Sequence, residues 1–527
     1  MLQKLPIGIQ SFSDLRSNNY LYVDKTEDIY RMITTGKPYF LSRPRRFGKS
    51  LLLSTLEAVF QGRKELFEGL YIYDRWDWTK RYPVIRIDCS VTSNRSPEML
   101  VSSLNIYLDT FFDEYNLEQI DAPLEIKFRL LIAKLCQATG EKVVVLIDEY
   151  DKPVIDNLND LDVANKNRIV LHDFYQVLKA SDDHLKFIFL TGVSKFSRVS
   201  VFSGLNNLND ITLDTQYATI CGYSQEELES NFDSYIEKLA EQDNLSKQEI
   251  IDKIKGWYDG YSWDGETNVY NPFSSLQLFT KNRFIDYWFE SGTPTFLINL
   301  IKERNDVKTV TQSFEIPVDA FSAFELNRID TRLLLFQTGY LTVKKVVKSC
   351  FSDTLNYVLG IPNEEVRRGL ITHLLSSFSN SPISETSSLK DRMMGQLFEG
   401  NSSAFERSLQ ELFARIPYQL HLPFEAYYHS LFLVWLNLLG FKIDAEISTG
   451  KGRIDAVWTW NERVVITEIK YSSKDKIEPL LTEAMQQIRE RRYYERYAGE
   501  NKRIAMLAIA FAGKDIACRM EELKASD

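Results

Sequence analysis

The segment Pro38–Ser50, PYFLSRPRRFGKS, decides the fold of the N-terminal part of the chain. Its first five residues predict a short buried strand, and a helix over Leu51–Phe60 follows the triplet Gly-Lys-Ser. A turn between a strand and a helix directs backbone N–H groups at phosphate oxygens, and the helix N-terminus adds a positive dipole. Lys49 would then contact the β- and γ-phosphates, and Ser50 would bind Mg²⁺. The segment therefore predicts a nucleotide site.

One position departs from the standard phosphate-binding loop, because Arg43 stands where its first glycine is expected. A Gly-Lys-Ser triplet also begins ordinary helices, so the triplet alone is weak evidence. The run Val143–Glu149, VVVLIDE, strengthens the interpretation, because an apolar strand there ends in two acids. Asp148 at the strand end would hold Mg²⁺, and Glu149 would be the base for the attacking water. The alternative is a pair of acids that only face solvent.

Polar residues also follow the next apolar strand, Phe187–Leu190. Ser194 and Arg198 are candidates for contact with the γ-phosphate, with Arg198 acting on its own site or on that of another subunit. Each is equally well explained as a residue of a surface loop. The sequence leaves these two alternatives open.

The overall pattern predicts an α/β fold with three domains. Short apolar runs separated by helices are typical of a P-loop NTPase parallel sheet with helices on both faces. From about residue 222 to 405 the pattern becomes mainly helical, and the polar stretch Ser376–Lys390 is the clearest candidate for a loop or linker. We expect an ATPase domain over 1–220, a helical lid or middle domain over 221–405, and a third α/β domain over 406–527.

Several segments resemble one known family: LPIGIQSFSDLRSNNYLYVDKTEDI, RPRRFGKSLLLSTLEAVF, VVVLIDEYDKPV and FLTGVSKFS. They look like the bacterial AAA-ATPase-like family, which joins an N-terminal P-loop ATPase to a C-terminal PD-(D/E)XK nuclease-like domain. The P-loop of that family accepts RPRRFGKS, so Arg43 is no sign of an inactive site. The resemblance implies ATP and Mg²⁺ as cofactors and places Arg45, Arg46 and Gly48 at the nucleotide. It also implies that Asp24 lies near it.

A strand hairpin predicts a second site near the C-terminus. Arg453–Trp458 reads as one strand and Val464–Tyr471 as the returning strand. Alternate side chains of a strand share a face, so Glu468 and Lys470 point the same way and Asp455 can approach them across the turn. Two carboxylates and a backbone carbonyl suit Mg²⁺, and the lysine would orient a bound water. The alternative is an exposed hairpin with an ion pair.

The helices on either side of the hairpin support the first interpretation. Glu425 lies on the preceding helix, and Gln487 lies on the following one, predicted over Glu478–Tyr497. This order of helix, hairpin and helix resembles the PD-(D/E)XK core, which implies catalytic roles for Glu425, Asp455, Glu468, Lys470 and Gln487. The second helix also alternates arginines and tyrosines from Arg489 to Tyr497, either as a DNA-binding face or as a solvated surface.

Composition limits the classes of protein. The chain has 527 residues, and its net charge of −10 gives no overall basic signal for nucleic acid. From Glu406 onward there are 18 basic and 18 acidic residues, so the acidic excess lies before the last domain. No apolar stretch is long enough for a membrane span, and the N-terminal residues MLQKLPIGIQ lack the long apolar region of a secretory signal. Five scattered cysteines predict reduced thiols in a cytoplasmic protein.

Together these features predict ATP-dependent processing of nucleic acid, with DNA cleavage by a Mg²⁺-dependent endonuclease site controlled by the bound nucleotide. The alternative is a nucleotide-operated switch whose nuclease-like domain binds nucleic acid or protein without cutting. The expected partners are ATP and DNA, with no membrane. A homo-oligomer is compatible with the sequence.

Overall fold

The computed structural model describes most of the chain. The described residues are 3–194, 207–290, 295–304, 313–321, 330–348, 354–379, 382–399, 401–414, 432–433, 436, 442–449, 452–460, 463–472, 476–497, 503–512 and 515–523. The chain forms two compact units. The first contains Met1–Thr293 and Ser313–Val366, and the second contains Pro294–Gln312 and Arg367–Asp527. The division into three domains stays a prediction.

Helices and strands are numbered separately along the chain. The described helices are α1 Phe12–Ser17, α2 Thr26–Thr35, α3 Lys49–Phe60, α4 Pro97–Glu114, α5 Leu124–Thr139, α6 Lys152–Ile155, α7 Leu161–Ala180, α8 Gln225–Asp243, α9 Lys247–Tyr258, α10 Pro272–Lys281, α11 Tyr287–Glu290, α12 Thr295–Arg304, α13 Thr331–Thr338, α14 Glu364–Ser379, α15 Ile383–Phe398, α16 Ser402–Ala414 and α17 Ile477–Glu490. The described strands are β1 Pro38–Ser42, β2 Val84–Asp88, β3 Val143–Asp148, β4 Leu185–Gly192, β5 Asn209–Asp210, β6 Phe314–Pro317, β7 Thr342–Lys348, β8 Leu355–Gly360, β9 Lys442–Thr449, β10 Gly452–Trp460, β11 Arg463–Ser472, β12 Arg503–Ala512 and β13 Asp515–Glu522.

A five-stranded parallel sheet forms the centre of the first unit. Its strand order is β2-β3-β4-β1-β5, so β4 lies between the strand that precedes the phosphate loop and the strand that carries the acids. Strand β3 is buried along its whole length, as expected for a sheet with helices on both faces. The predicted α/β P-loop architecture is confirmed. The carboxyl ends of β1 and β3 reach the same edge of the sheet, where the first candidate site lies.

A smaller antiparallel sheet lies in the first unit beyond the parallel one. Its order is β6-β8-β7, within a part of the chain whose pattern is mainly helical. These strands are short, and β7 exposes two adjacent lysines, Lys344 and Lys345. They interrupt the alternation of buried and exposed residues that is typical of a strand. For that reason sequence periodicity did not predict this sheet.

The second unit contains a mixed five-stranded sheet of order β13-β12-β11-β10-β9. Strands β11 and β12 pair in parallel, and the other neighbours pair antiparallel. Helix α17 packs its buried side, which includes Leu481, Met485 and Ile488, with residues of β10, β11 and β12 in one hydrophobic core. This packing fixes the helix over the hairpin that carries the second candidate site.

Two elements differ from their predictions. The polar stretch Ser376–Lys390 is not a loop over most of its length, because α14 covers its start and α15 its end. Leu389 and Met393 lie one helical turn apart and are both buried, so packing overrides the polar composition. The second predicted helix, Glu478–Tyr497, ends at Glu490. Arg492 takes a left-handed conformation with φ of +48°, which stops the helix.

Candidate functional site

The loop between β1 and α3 has the geometry of a phosphate site. Gly48 is the N-cap of α3 and has φ of +90°, a conformation that favours glycine. The Lys49 side chain is buried, and its Nζ donates hydrogen bonds to the carbonyls of Arg43 at 3.0 Å and Pro44 at 3.1 Å. The same Nζ lies 3.7 Å from Oε1 of Glu149. The loop therefore brings Lys49 close to Glu149, the acid directly after β3.

Arg43 explains how the loop forms without its first glycine. Its guanidinium is fully buried and donates to the carbonyls of Ser42 and Thr212, each at 2.9 Å, and of Tyr217 at 3.2 Å. It also stacks over the ring of Trp263 at 3.8 Å. Burial lowers the pKa of Arg43 to about 10. The side chain is thus directed into the protein, where it anchors the loop.

The two acids at the end of β3 occupy different environments. Asp148 is 1% exposed, and burial raises its pKa, although the hydrogen bond from Ser50 and the charge of Lys49 oppose the rise. Its Oδ1 is buried and has no hydrogen-bond partner in the part of the chain that the structure describes. Glu149 follows with φ of +52°, unusual for a residue with a side chain. Asp148 and Ser50 therefore fit a hard cation, since one buried oxygen is left for it.

A cavity of about 400 Å³ opens in front of these residues. Arg45, Arg46, Gly48, Lys49, Ser50, Asp148 and Glu149 all line it, so the structure brings together seven of the predicted nucleotide-site residues. The rest of the lining includes residues that the sequence did not single out: Pro6, Gly8, Ile9, Gln10, Asp88, Tyr223, Pro272 and Phe273. Among these, Pro6, Gly8, Ile9 and Gln10 belong to the quoted segment LPIGIQ, but nothing in the spacing of that segment indicates that it lines a cavity.

Two predicted nucleotide-site residues lie elsewhere and a third is outside the described residues. Asp24 accepts hydrogen bonds from Thr26 N at 2.8 Å and from Tyr71 N at 2.7 Å, and it does not line the cavity. Ser194 is fully buried, and its Oγ donates to Oδ2 of Asp151 at 2.6 Å. Arg198 lies outside the described residues. Contact of these three with the nucleotide stays a prediction.

The hairpin in the second unit gathers four predicted residues. Ala456 pairs with Thr467, so Asp455 and Glu468 occupy the next positions on adjacent strands. Oδ2 of Asp455 accepts from the backbone N of Ile469 at 2.8 Å. Nζ of Lys470 donates to Oε1 of Glu468 at 3.3 Å and to Oε1 of Gln487 on α17 at 2.7 Å. The amide of Gln487 also donates to Glu468.

Glu468 is the most constrained group of this cluster. Its side chain is 2% exposed, and burial followed by the charge of Asp455 raises its pKa to about 8, against the opposing effect of Lys470. Its Oε2 is buried and has no partner among the residues described. No group of three His, Cys, Asp or Glu side chains placed to hold a metal occurs in the described part of the chain. A metal ion at this hairpin would therefore be held by two carboxylates and a backbone carbonyl.

The arginines near the hairpin are partly engaged. Arg489 forms an ion pair with Glu521, and Arg492 forms one with Glu495 at 3.2 Å. Glu483, which the sequence did not single out, lies 3.9 Å from Nζ of Lys470. Glu425 lies outside the described residues, so its predicted place in the site is untested.

Comparison with known proteins gives two family matches. A family model described as predicted AAA-ATPase matches residues 6–202, and one described as PD-(D/E)XK nuclease superfamily matches residues 423–521. The chain is also similar to the "Uncharacterized protein in vnfD 5'region" of Azotobacter chroococcum mcd 1. The two are 38% identical over 519 residues, which cover 97% of this chain and 96% of that protein. Within the described residues, no helix is both long and apolar enough to cross a membrane.

Proposed function

Because the chain belongs to the family that joins a predicted AAA-ATPase domain to a PD-(D/E)XK nuclease superfamily domain, we propose that it hydrolyses ATP and cleaves DNA with a divalent metal ion, under control of the bound nucleotide. The observation that carries the proposal is the cluster of Asp455, Glu468, Lys470 and Gln487, in which one buried carboxylate oxygen has no partner among the described residues. The proposal includes a cytoplasmic location and leaves a homo-oligomer open.

In the ATPase site, each side chain has a distinct role. Lys49 supplies a positive charge to the β- and γ-phosphates, and Ser50 and Asp148 would hold Mg²⁺. When bound, the cation neutralises charge on the phosphates. Glu149 lies 3.7 Å from Lys49 and takes the proton of the attacking water. The arginines Arg45 and Arg46 add positive charge at the mouth of the cavity.

In the nuclease-like site, Asp455 and Glu468 would hold a metal ion, which would polarise the phosphodiester and lower the pKa of a bound water. Lys470 donates hydrogen bonds from the same face and would stabilise the negative charge that develops on the phosphate. Gln487 fixes both partners, because its amide donates to Glu468 and its carbonyl oxygen accepts from Lys470.

One observation favours the protein-binding form of the rival function, a nucleotide-operated switch that binds a protein without cutting. Arg489 and Arg492 each form an ion pair with a glutamate, which neutralises part of the basic surface that would hold DNA. A DNA substrate would have to displace these glutamates. Such exposed pairs are weak, so the displacement costs little.

The test is cleavage of supercoiled plasmid in Mg²⁺ or Mn²⁺, with and without ATP. We expect the wild-type chain to nick the plasmid and Asp455→Ala to have no activity, because one metal ligand is lost. Asp515→Ala is the matched control, since it removes an exposed aspartate at the start of β13 and should cut like the wild type. If the wild-type chain cuts neither DNA nor RNA under any nucleotide condition, the rival function is favoured.

A further inference from the structure

A buried aspartate just beyond the predicted catalytic glutamate has no role in the chemistry described so far. Asp151 is fully buried, and its Oδ2 accepts hydrogen bonds from N and Oγ of Ser194, both at 2.6 Å. Its Oδ1 accepts from Val193 N at 3.3 Å. All three donors belong to Val193 and Ser194, the two residues directly after β4, so one carboxylate fastens the turn after β3 to the segment that leaves the neighbouring strand.

Tyr150 makes the same connection from the adjacent position. Its backbone N donates to the carbonyl of Thr191 at 3.1 Å, and its hydroxyl donates to the carbonyl of Ser194 at 2.9 Å. A Cβ added at Gly192 would lie 2.4 Å from Oδ1 of Asp151 and 2.6 Å from the Tyr150 ring. Only glycine fits there, so the two segments are packed as closely as their backbones allow.

The connection bears directly on Glu149, the residue before Tyr150. Its left-handed φ of +52° is unfavourable for a residue with a side chain, and such a conformation persists only where the surroundings enforce it. The bonds of Tyr150 and Asp151 to β4 supply that enforcement on the C-terminal side of Glu149. On the N-terminal side, β3 is held in the sheet.

We propose that Asp151 is a positioning residue for ATP hydrolysis, which holds Glu149 at its place in the cavity by bonding the turn to the end of β4. The inference rests on the proposed ATPase function. The hydrogen bonds of Tyr150 and Asp151 to Thr191, Val193 and Ser194 form a clamp. Ser194 thus has a structural role in this clamp, separate from any contact with the γ-phosphate. Asp151 itself lines no part of the nucleotide cavity, so its effect on the reaction passes through Glu149.

The test begins with Asp151→Asn in the full chain. The substitution preserves shape, but its amide turns one acceptor into a donor, so either Ser194 or Val193 loses its acceptor. We expect kcat for ATP hydrolysis to fall roughly tenfold or more, because a displaced base loses its alignment, while the Kd for a fluorescent ATP analogue changes less than about threefold. Turnover like that of the wild type would overturn the proposal.

The matched control is Asp264→Asn. Asp264 is also buried and accepts from two backbone N–H groups, those of Glu266 and Thr267, and from the Ser262 hydroxyl, but it does not line the cavity. All three bonds end on Oδ1, which asparagine keeps as an acceptor, so this variant loses a buried carboxylate charge without losing these bonds and should keep its kcat. An equal loss of kcat in Asp264→Asn would show that the loss of a buried carboxylate charge, and not the loss of the bonds to Ser194 or Val193, lowers kcat.

Combination with Glu149→Gln distinguishes positioning from an independent effect. If Asp151 acts through Glu149, adding Asp151→Asn to Glu149→Gln should slow hydrolysis no further. A further loss equal to that in the wild-type background would refute the proposal. If Asp151→Asn does not fold, Tyr150→Phe removes one bond of the clamp and is tested the same way. Absence of ATP turnover in the wild-type chain would refute the ATPase function as well, whereas normal turnover in the clamp variants refutes positioning alone.

Discussion

Glu365→Gln should stabilise the first unit, and more strongly as pH rises. Glu365 lies in the first turn of α14 and is fully buried. Its Oε1 accepts from Trp288 N at 2.8 Å and from Ser274 Oγ at 2.9 Å, whereas its Oε2 has no partner in the described ranges. Glutamine can accept the same two hydrogen bonds and never carries charge. The substitution therefore keeps both hydrogen bonds, and folding no longer has to bind a proton at this position.

The magnitude follows from the pKa of Glu365, which burial raises from 4.5 to about 8. At pH 7 the unfolded chain has this carboxylate ionised, and folding must bind a proton to it. The folded state thus loses stability relative to the glutamine variant as pH rises from 4.5 to 8. At about 1.4 kcal/mol for each pH unit above 4.5, the variant should be more stable by about 3 kcal/mol at pH 7 and by almost nothing near pH 4.5.

The assay is urea unfolding of the full chain at several pH values, read from the transition that an ATP analogue shifts, because that transition reports the first unit. Glu364→Gln makes the same chemical change at the adjacent, half-buried residue and is the matched control. A stability difference for Glu365→Gln that is constant between pH 5 and pH 8, or no larger than that of the control, would refute the reasoning.

Three further predictions concern the two sites. Lys49→Ala should weaken binding of an ATP analogue at least tenfold in fluorescence titration. Glu149→Gln should bind the analogue normally but lose most ATP turnover, because the amide cannot take a proton. Normal hydrolysis by Glu149→Gln would show that Glu149 is not the base. Because burial raises the pKa of Glu468 to about 8, a proton competes with the metal ion for this carboxylate. The Mn²⁺ affinity measured by calorimetry should therefore rise nearly tenfold for each pH unit up to about pH 8 and then level off. An Mn²⁺ affinity that does not depend on pH would contradict this. In the cleavage-inactive variant Asp455→Ala, an ATP analogue should change the DNA affinity by the same factor by which DNA changes the affinity for the analogue. Equal DNA affinities with and without the analogue, at fixed salt, would exclude coupling between the two sites.

The parts of the fold that sequence predicted are those where local pattern and burial agree. The apolar run of β3 is buried on both faces, so its composition alone indicates a central strand. In the hairpin, the two-residue period puts Glu468 and Lys470 on one face with Ile469 buried on the other, and the structure has this arrangement. The place of Gln487 came from the family resemblance, because no local pattern links a helix residue to a strand.

The parts that sequence missed depend on contacts between distant segments. The hydrogen bonds of Asp151 depend on the residues that follow β4, and the part of the cavity lined by Pro6, Gly8, Ile9 and Gln10 depends on the loop before α3. Neither feature therefore has a local sequence signal. Packing also explains why most of the polar stretch Ser376–Lys390 is helical. Buried side chains such as Leu389 and Met393 stabilise the helix despite the serines in the stretch. Arg43 is a similar case, since its buried hydrogen bonds cannot be read from its position in the loop.

The most direct test of the account is to locate Mn²⁺ in crystals of the full chain by anomalous scattering, with an ATP analogue bound. We predict one ion between Asp455 and Glu468, with metal–oxygen distances of about 2.0–2.3 Å. A second ion at Ser50 and Asp148 should accompany the nucleotide. An ion at the nucleotide alone, with none at the hairpin at a pH above 8, would contradict the assignment of a metal-dependent nuclease site.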